Sequence, residues 1–144
     1  LDEYDHIVSE NTVTSSGYFN CNAAVILGGG YAAVSHYPYA PFLLEKPSQY
    51  VEDMISELNT LVEREKMFGV LVGGNERHFS ENKREMKSNR IPVYEERIVD
   101  GCSPWKCKNL VVIPESEDVI LEIENPYGQN HFENLLNGDH KTSE

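Results

Sequence analysis

The chain has 144 residues, enough for one domain with a real core, and its 40% hydrophobic content is that of a globular rather than a disordered sequence. Acidic residues outnumber basic ones 24 to 12, giving a formal charge of -12. That balance argues against a nucleic-acid backbone and disfavours anionic membrane surfaces as partners, since both need clustered Lys and Arg. No apolar run approaches the roughly 20 residues of a membrane-spanning helix, so no membrane insertion is expected.

Residues 1–10 are acidic and lack the charged-then-apolar pattern of a secretory leader. The chain starts on Leu1 rather than Met, which fits a start or leader removed ahead of it. Residues 4–8 read as a short strand. Residues 12–16 are a β-branched and hydroxyl-rich run leading into Gly17.

Residues 21–27 and 31–36 are two short apolar runs split by Gly28-Gly29-Gly30. They read as a β-hairpin, because glycine supplies the positive φ of a tight turn. With Gly28-Gly29 as the turn, Val25 faces Ala32, Ala23 faces Val34 and Cys21 faces His36. A four-residue loop gives the same pairs, whereas a three-residue loop sends the two side chains to opposite faces. In the favoured register the Cys21 and His36 Cβ atoms stand about 4.5–5.5 Å apart. An imidazole at that distance can take a thiol proton and leave a nucleophilic thiolate. Spacing alone leaves a second reading open: Cys21 as a small core residue and His36 as a satisfied strand-end group.

Pro47-Ser48 opens a helix over residues 49–65, with Ser48 as N-cap and Glu52 and Asp53 in its first turn. Val51, Met54, Ile55, Leu58, Leu61 and Val62 trace one apolar face. Residues 68–72 read as a buried strand closed by Gly73-Gly74. Ser80 caps a short polar helix to Ser88, or that stretch is a loop. Residues 91–99 read as a strand and 100–109 as a loop carrying Cys102 and Cys107. Residues 110–113 and 119–123 form a second hairpin.

This order predicts an α/β chain of the α+β type, a mixed and mostly antiparallel sheet packed with one long and one or two short helices. A single domain is expected over residues 1–124, followed by a polar, loosely ordered tail from 125 to 144. The sequence does not specify the oligomeric state.

Three cysteines, Cys21, Cys102 and Cys107, are too few and odd for a disulfide framework and fit free thiols in a reducing compartment such as the cytoplasm. The five histidines show no short-spaced ligand pairs, so no metal is expected. Gly28-Gly29-Gly30 is no phosphate loop, because no Lys-Ser/Thr and no helix follow it. Tyr31, Tyr37 and Tyr39 could line a groove or be ordinary strand residues.

From residue 15 to 123 the chain resembles the CheD family, the chemotaxis receptor glutamine deamidases. The resemblance rests on Ser15, Gly17 and Cys21, on Val34-Ser35-His36-Tyr37-Pro38, on the strand of residues 69–74, on residues 91–101 and on the closing hairpin. It departs in Phe19-Asn20 before the cysteine, where the family has Gly-Ser, and in serine where threonine is common at position 15. The segment after the central glycines, from Asn75 through residues 82–89, is also altered. The resemblance implies a layered sandwich and a cysteine hydrolase, related to toxin deamidases, that converts protein glutamine to glutamate through a thioester. Cys21 would be the nucleophile, His36 the base and Ser15 the residue orienting His36. Asn20, Tyr37 and Tyr39 would contact a substrate protein with an exposed glutamine, a chemoreceptor or other signalling protein, and no cofactor would be needed. The competing expectation is a non-catalytic CheD-like binding module.

Overall fold

The computed structural model describes residues 1–17, 21–38, 46–98 and 106–136. Its strands are β1 (Asp5–Ser9), β2 (Val13–Ser16), β3 (Asn22–Gly28), β4 (Tyr31–His36), β5 (Phe68–Gly73), β6 (Val93–Ile98), β7 (Lys106–Ile113), β8 (Asp118–Glu124) and β9 (Asn130–Asn134). The helices α1 (Pro47–Leu58) and α2 (Glu76–Ser88) follow β4 and β5. The fold is α+β, as expected from the element order. The strands divide into two sheets, β1-β4-β3-β5-β6 and β2-β7-β8-β9, and the two helices are of similar length.

Among the described strands only β5 and β6 pair in parallel. A parallel pair needs a crossover, and α2 supplies it. The five-stranded sheet is the middle layer. Ala24, Ile26 and Ala33 on one face pack with Val51, Met54, Ile55 and Leu58 of α1 and Met86 of α2. Ala23, Val25, Leu27 and Val34 on the other face pack with Val13, Leu110, Val112 and Leu121 of the second sheet. A strand covered on both faces is apolar along its length, so β3 is buried throughout and hydrophobic from Ala23 to Leu27, with the hydrogen-bonded Asn22 as the polar residue at its start. Strands β7 and β8 have one face in the core, and their burial alternates accordingly.

The first hairpin turns at Gly29-Gly30, whose φ values of 57° and 83° are those a two-residue turn of this hand demands. Gly28 belongs to β3 and faces Tyr31. It is glycine for another reason: a Cβ there would stand 2.8 Å from the Lys66 carbonyl oxygen. The register therefore differs by two residues from the one expected. Val25 faces Val34, and Asn22 bridges Tyr37.

Helix α1 starts from Lys46 with Pro47 in its first turn, so Ser48 is not the cap; proline has the φ that this position needs. The helix stops at Leu58, short of residue 65, because the chain unwinds to lay Val62 against the hairpin turn. Leu61 is left outside, 52% exposed. Helix α2 begins earlier than expected. Asn75, not Ser80, caps it, its Oδ1 accepting the His78 N–H at 3.0 Å. Cys107 is not a loop residue but a buried member of β7. Residues 130–134 form β9 on β8, so the tail expected from 125 is in part a strand.

Candidate active site

Ser15, Cys21 and His36 meet between the two sheets at one end of the sandwich. β2 points Val13 and Ser15 inward and Thr14 and Ser16 outward, so Ser15 reaches across from the second sheet. His36 ends β4, on the same face as Ala32 and Val34. Cys21 directly precedes β3, and its carbonyl accepts the Gly74 N–H at 3.2 Å.

In the observed register His36 stands opposite Ala23, and Cys21 is its diagonal neighbour rather than its direct partner. The expected direct pairing is corrected, because the turn lies one residue later. A register shift of two leaves every side chain on its own face, so the two groups still share one. Cys21 Sγ lies within 4.8 Å of a His36 ring nitrogen.

Ser15 Oγ and His36 Nδ1 are 2.8 Å apart, and the same Oγ donates to the Leu1 carbonyl at 2.8 Å. A hydroxyl has one hydrogen and a carbonyl can only accept. The Ser15 hydrogen goes to Leu1, and Nδ1–H of His36 donates to Ser15. In the neutral ring the basic lone pair is then on Nε2. His36 is 1% exposed. Burial lowers its pKa below the usual 6.5, while the Glu3 carboxylate and the Gly17 backbone pull it back up.

Glu3 is the residue that sequence reasoning missed. One of its carboxylate oxygens lies within 4.8 Å of both Cys21 Sγ and the His36 ring nitrogen, and the residue is exposed. Pairing of β1 with β4 sets Asp5 against His36, and the Tyr4 N–H donates to the His36 carbonyl at 2.9 Å. Tyr4 adopts φ 65°, an uncommon conformation for a residue with a side chain, and its carbonyl accepts from the Tyr50 hydroxyl at 3.1 Å. The resulting bend brings Glu3 to the mouth of the site. No local pattern encodes this, since it depends on a pairing across thirty residues.

Tyr37 does not line this site. Side chains alternate along a strand, so the ring after His36 points to the helical layer. It is 3% exposed and packs edge-on against Tyr50 and His78, at centroid distances of 5.2 and 5.0 Å. The expected substrate contact at Tyr37 is thus a supporting wall behind the sheet. Asn20, Tyr39 and Cys102 lie outside the described residues. Cys107 is a core thiol, its pKa pushed up to about 12 by burial despite nearby Arg97, so it is inert at neutral pH.

The floor beside Cys21 is tightly filled. Asn22 is fully buried, and its Nδ2 donates to the Asn75 carbonyl at 3.3 Å, tying the start of β3 to the cap of α2. Gly73 faces Asn22, and a Cβ there would fall inside the Asn22 amide and 2.9 Å from the Phe79 ring. Gly73→Ala is expected to destabilise the fold by about 1–3 kcal/mol. Urea unfolding checks this through a lowered midpoint with an unchanged slope.

Buried His36 and half-buried His78 also set an acid limit. Burial lowers the pKa of both His36 and His78 from 6.5, so the unfolded chain binds protons that the native rings refuse. Stability is then fully present above pH 6.5 and falls as pH drops below it towards the native pKa values. Urea midpoints measured at pH 7 and pH 5.5 are expected to show the loss.

No protein-family model matches the chain, and no curated protein matches it significantly. The functional reading therefore stands on the geometry and on the motif pattern.

Proposed function

We propose that the protein is a cysteine-dependent protein-glutamine deamidase of the CheD type. The observation that supports this best is the Ser15–His36 bond of 2.8 Å with the Cys21 sulfur within 4.8 Å of the same ring. It is the arrangement of a nucleophile, a base and a group that fixes the base. His36 Nε2 takes the Cys21 thiol proton as the sulfur attacks the glutamine carboxamide carbon. The imidazolium then returns that proton to the leaving nitrogen, the C–N bond breaks, and ammonia departs from a thioester. Water attacks the thioester with His36 taking its proton, the C–S bond breaks, and the sulfur regains a hydrogen. Glutamate is left on the substrate. The Asn22 N–H is not the oxyanion donor, since it pairs with the Tyr37 carbonyl at 2.7 Å.

The substrate proposed is a chemoreceptor or another signalling protein with an exposed glutamine, in the reducing cytoplasm. Among the described residues no helix is long and apolar enough to cross a membrane. Incubation with candidate receptor fragments, read by ammonia release and by the amide-to-acid mass change, tests the activity.

Ser15 acts through His36. Ser15→Ala removes the acceptor of a buried ring N–H, a loss of about 1–3 kcal/mol, or roughly 5–150-fold in rate. Ser15→Thr keeps the hydroxyl and is expected to restore most of the activity. Equal rates for the alanine and threonine variants would contradict the orienting role.

The burial of the triad favours a second reading. Cys21 is 7% and His36 1% exposed, which suits a non-catalytic CheD-like binding module in signalling. Binding of a receptor fragment without ammonia release would select it.

A further inference from the structure

We propose that Glu3, Cys21 and His36 form a binding site for a thiophilic divalent metal ion, Zn²⁺ by preference, that masks the nucleophile. A carboxylate oxygen, the sulfur and a ring nitrogen all lie within 4.8 Å of one another. Around a tetrahedral zinc, with Zn–S about 2.3 Å and Zn–N and Zn–O about 2.0–2.2 Å, such atoms stand roughly 3.3–3.6 Å apart. Closing the set needs a movement of about an ångström. Glu3 is the member free to make it, being exposed and on the segment ahead of β1. His36 is held in β4, and Cys21 is tied at the start of β3 by its carbonyl's bond from the Gly74 N–H.

The donor set selects the ion. A thiolate and an imidazole with one carboxylate suit zinc, whereas magnesium and calcium take oxygen ligands. Three protein ligands leave a fourth position for water. A second observation points the same way. Metal-bound imidazoles are usually fixed by a hydrogen bond from their other ring N–H, and here His36 Nδ1–H donates to Ser15, which in turn donates to the Leu1 carbonyl. Spacing in the sequence hides this site, because its ligands come from three separate segments.

On binding, Zn²⁺ displaces the thiol proton into solvent and takes up the sulfur electron pair that would attack a carbonyl carbon. Metal binding does not depend on the deamidase reading; only the resulting loss of turnover rests on it.

The test uses the full, untagged chain without substrate, titrated with Zn²⁺ alone by calorimetry and with Co²⁺ alone in the near ultraviolet. The site predicts a sulfur-to-cobalt charge-transfer band that Cys21→Ser abolishes. It also predicts that zinc slows alkylation of Cys21 by iodoacetamide, with peptide mapping separating Cys21 from Cys102 and Cys107. Glu3→Gln, an exposed change that leaves the fold alone, should weaken zinc binding about tenfold or more, and Ser15→Ala about 10–100-fold. A cobalt complex without the sulfur band, zinc affinity unchanged in Glu3→Gln, or alkylation of Cys21 indifferent to zinc would each overturn the site. Zinc binding as described in a protein that releases no ammonia would uphold the site and remove the deamidase reading alone.

Discussion

Cys21→Ala is expected to abolish ammonia release from a glutamine substrate, a loss on the order of 10⁴-fold or more, as for other nucleophile deletions. The variant should remain folded. Cys21 and alanine are of similar size, and the sulfur sits at the rim of a core made mainly by Val25, Leu27, Val34, Leu110 and Leu121. The stability cost should be near the ordinary value of about 1 kcal/mol. Activity lost with an unchanged circular dichroism spectrum and a urea midpoint lowered by no more than about 1 M is the predicted pattern. Retained ammonia release in this variant would exclude the thiol mechanism outright. Cys107 cannot substitute, because its thiol is held at about 12 in the core.

His36→Gln is the second large effect. Glutamine can still donate to Ser15 but cannot accept the thiol proton, so the rate should fall about 10²–10⁴-fold. The same change gives a signature that a packing defect would not. His36 must be neutral to act as base, and burial holds its pKa below 6.5, so the acid limb of wild-type activity should have its midpoint below pH 6.5. The residual activity of His36→Gln should lose that acid limb. His36→Gln should also lessen the acid sensitivity of folding, since the buried one of the two imidazoles with lowered pKa is gone. Initial rates and urea midpoints across pH 5–8 read both effects.

Much of the architecture was legible because it follows from periodicity. The apolar face of α1, the continuous hydrophobic run of β3 and the alternation in β7 and β8 each correspond to one burial pattern. What failed was local choice among similar residues. Three consecutive glycines allow several turns, and the turn was fixed by contacts remote in sequence: the Lys66 carbonyl against Gly28 and Val62 against Gly29. The slip of two residues still left Cys21 and His36 on one face, so the pairing argument survived in weaker form. Ser80 and Asn75 are both good caps, and only the Asn75 side chain meets a helix N–H. Strand β9 was missed because Asn130, His131, Phe132, Glu133 and Asn134 form a half-exposed edge with little apolar alternation.

The site was legible in proportion to how local it is. Cys21 and His36 share one hairpin. Ser15 entered through a family resemblance, and its contact with His36 spans two sheets. Glu3 had no signal at all, because β1–β4 pairing and the left-handed Tyr4 bring it there. For Tyr37, either lining a groove or an ordinary strand position is open in the sequence, and strand alternation from His36 puts its ring on the opposite face.

Activation of the Cys21 sulfur by His36 is the step on which the proposed chemistry depends. The most direct measurement is the rate of Cys21 alkylation by iodoacetamide at pH 7, read by peptide mapping with a chelator present and no substrate. Cys21 should react faster than an unhindered model thiol, and His36→Gln should slow it roughly tenfold or more. A Cys21 that alkylates at the same rate in both proteins would contradict the account.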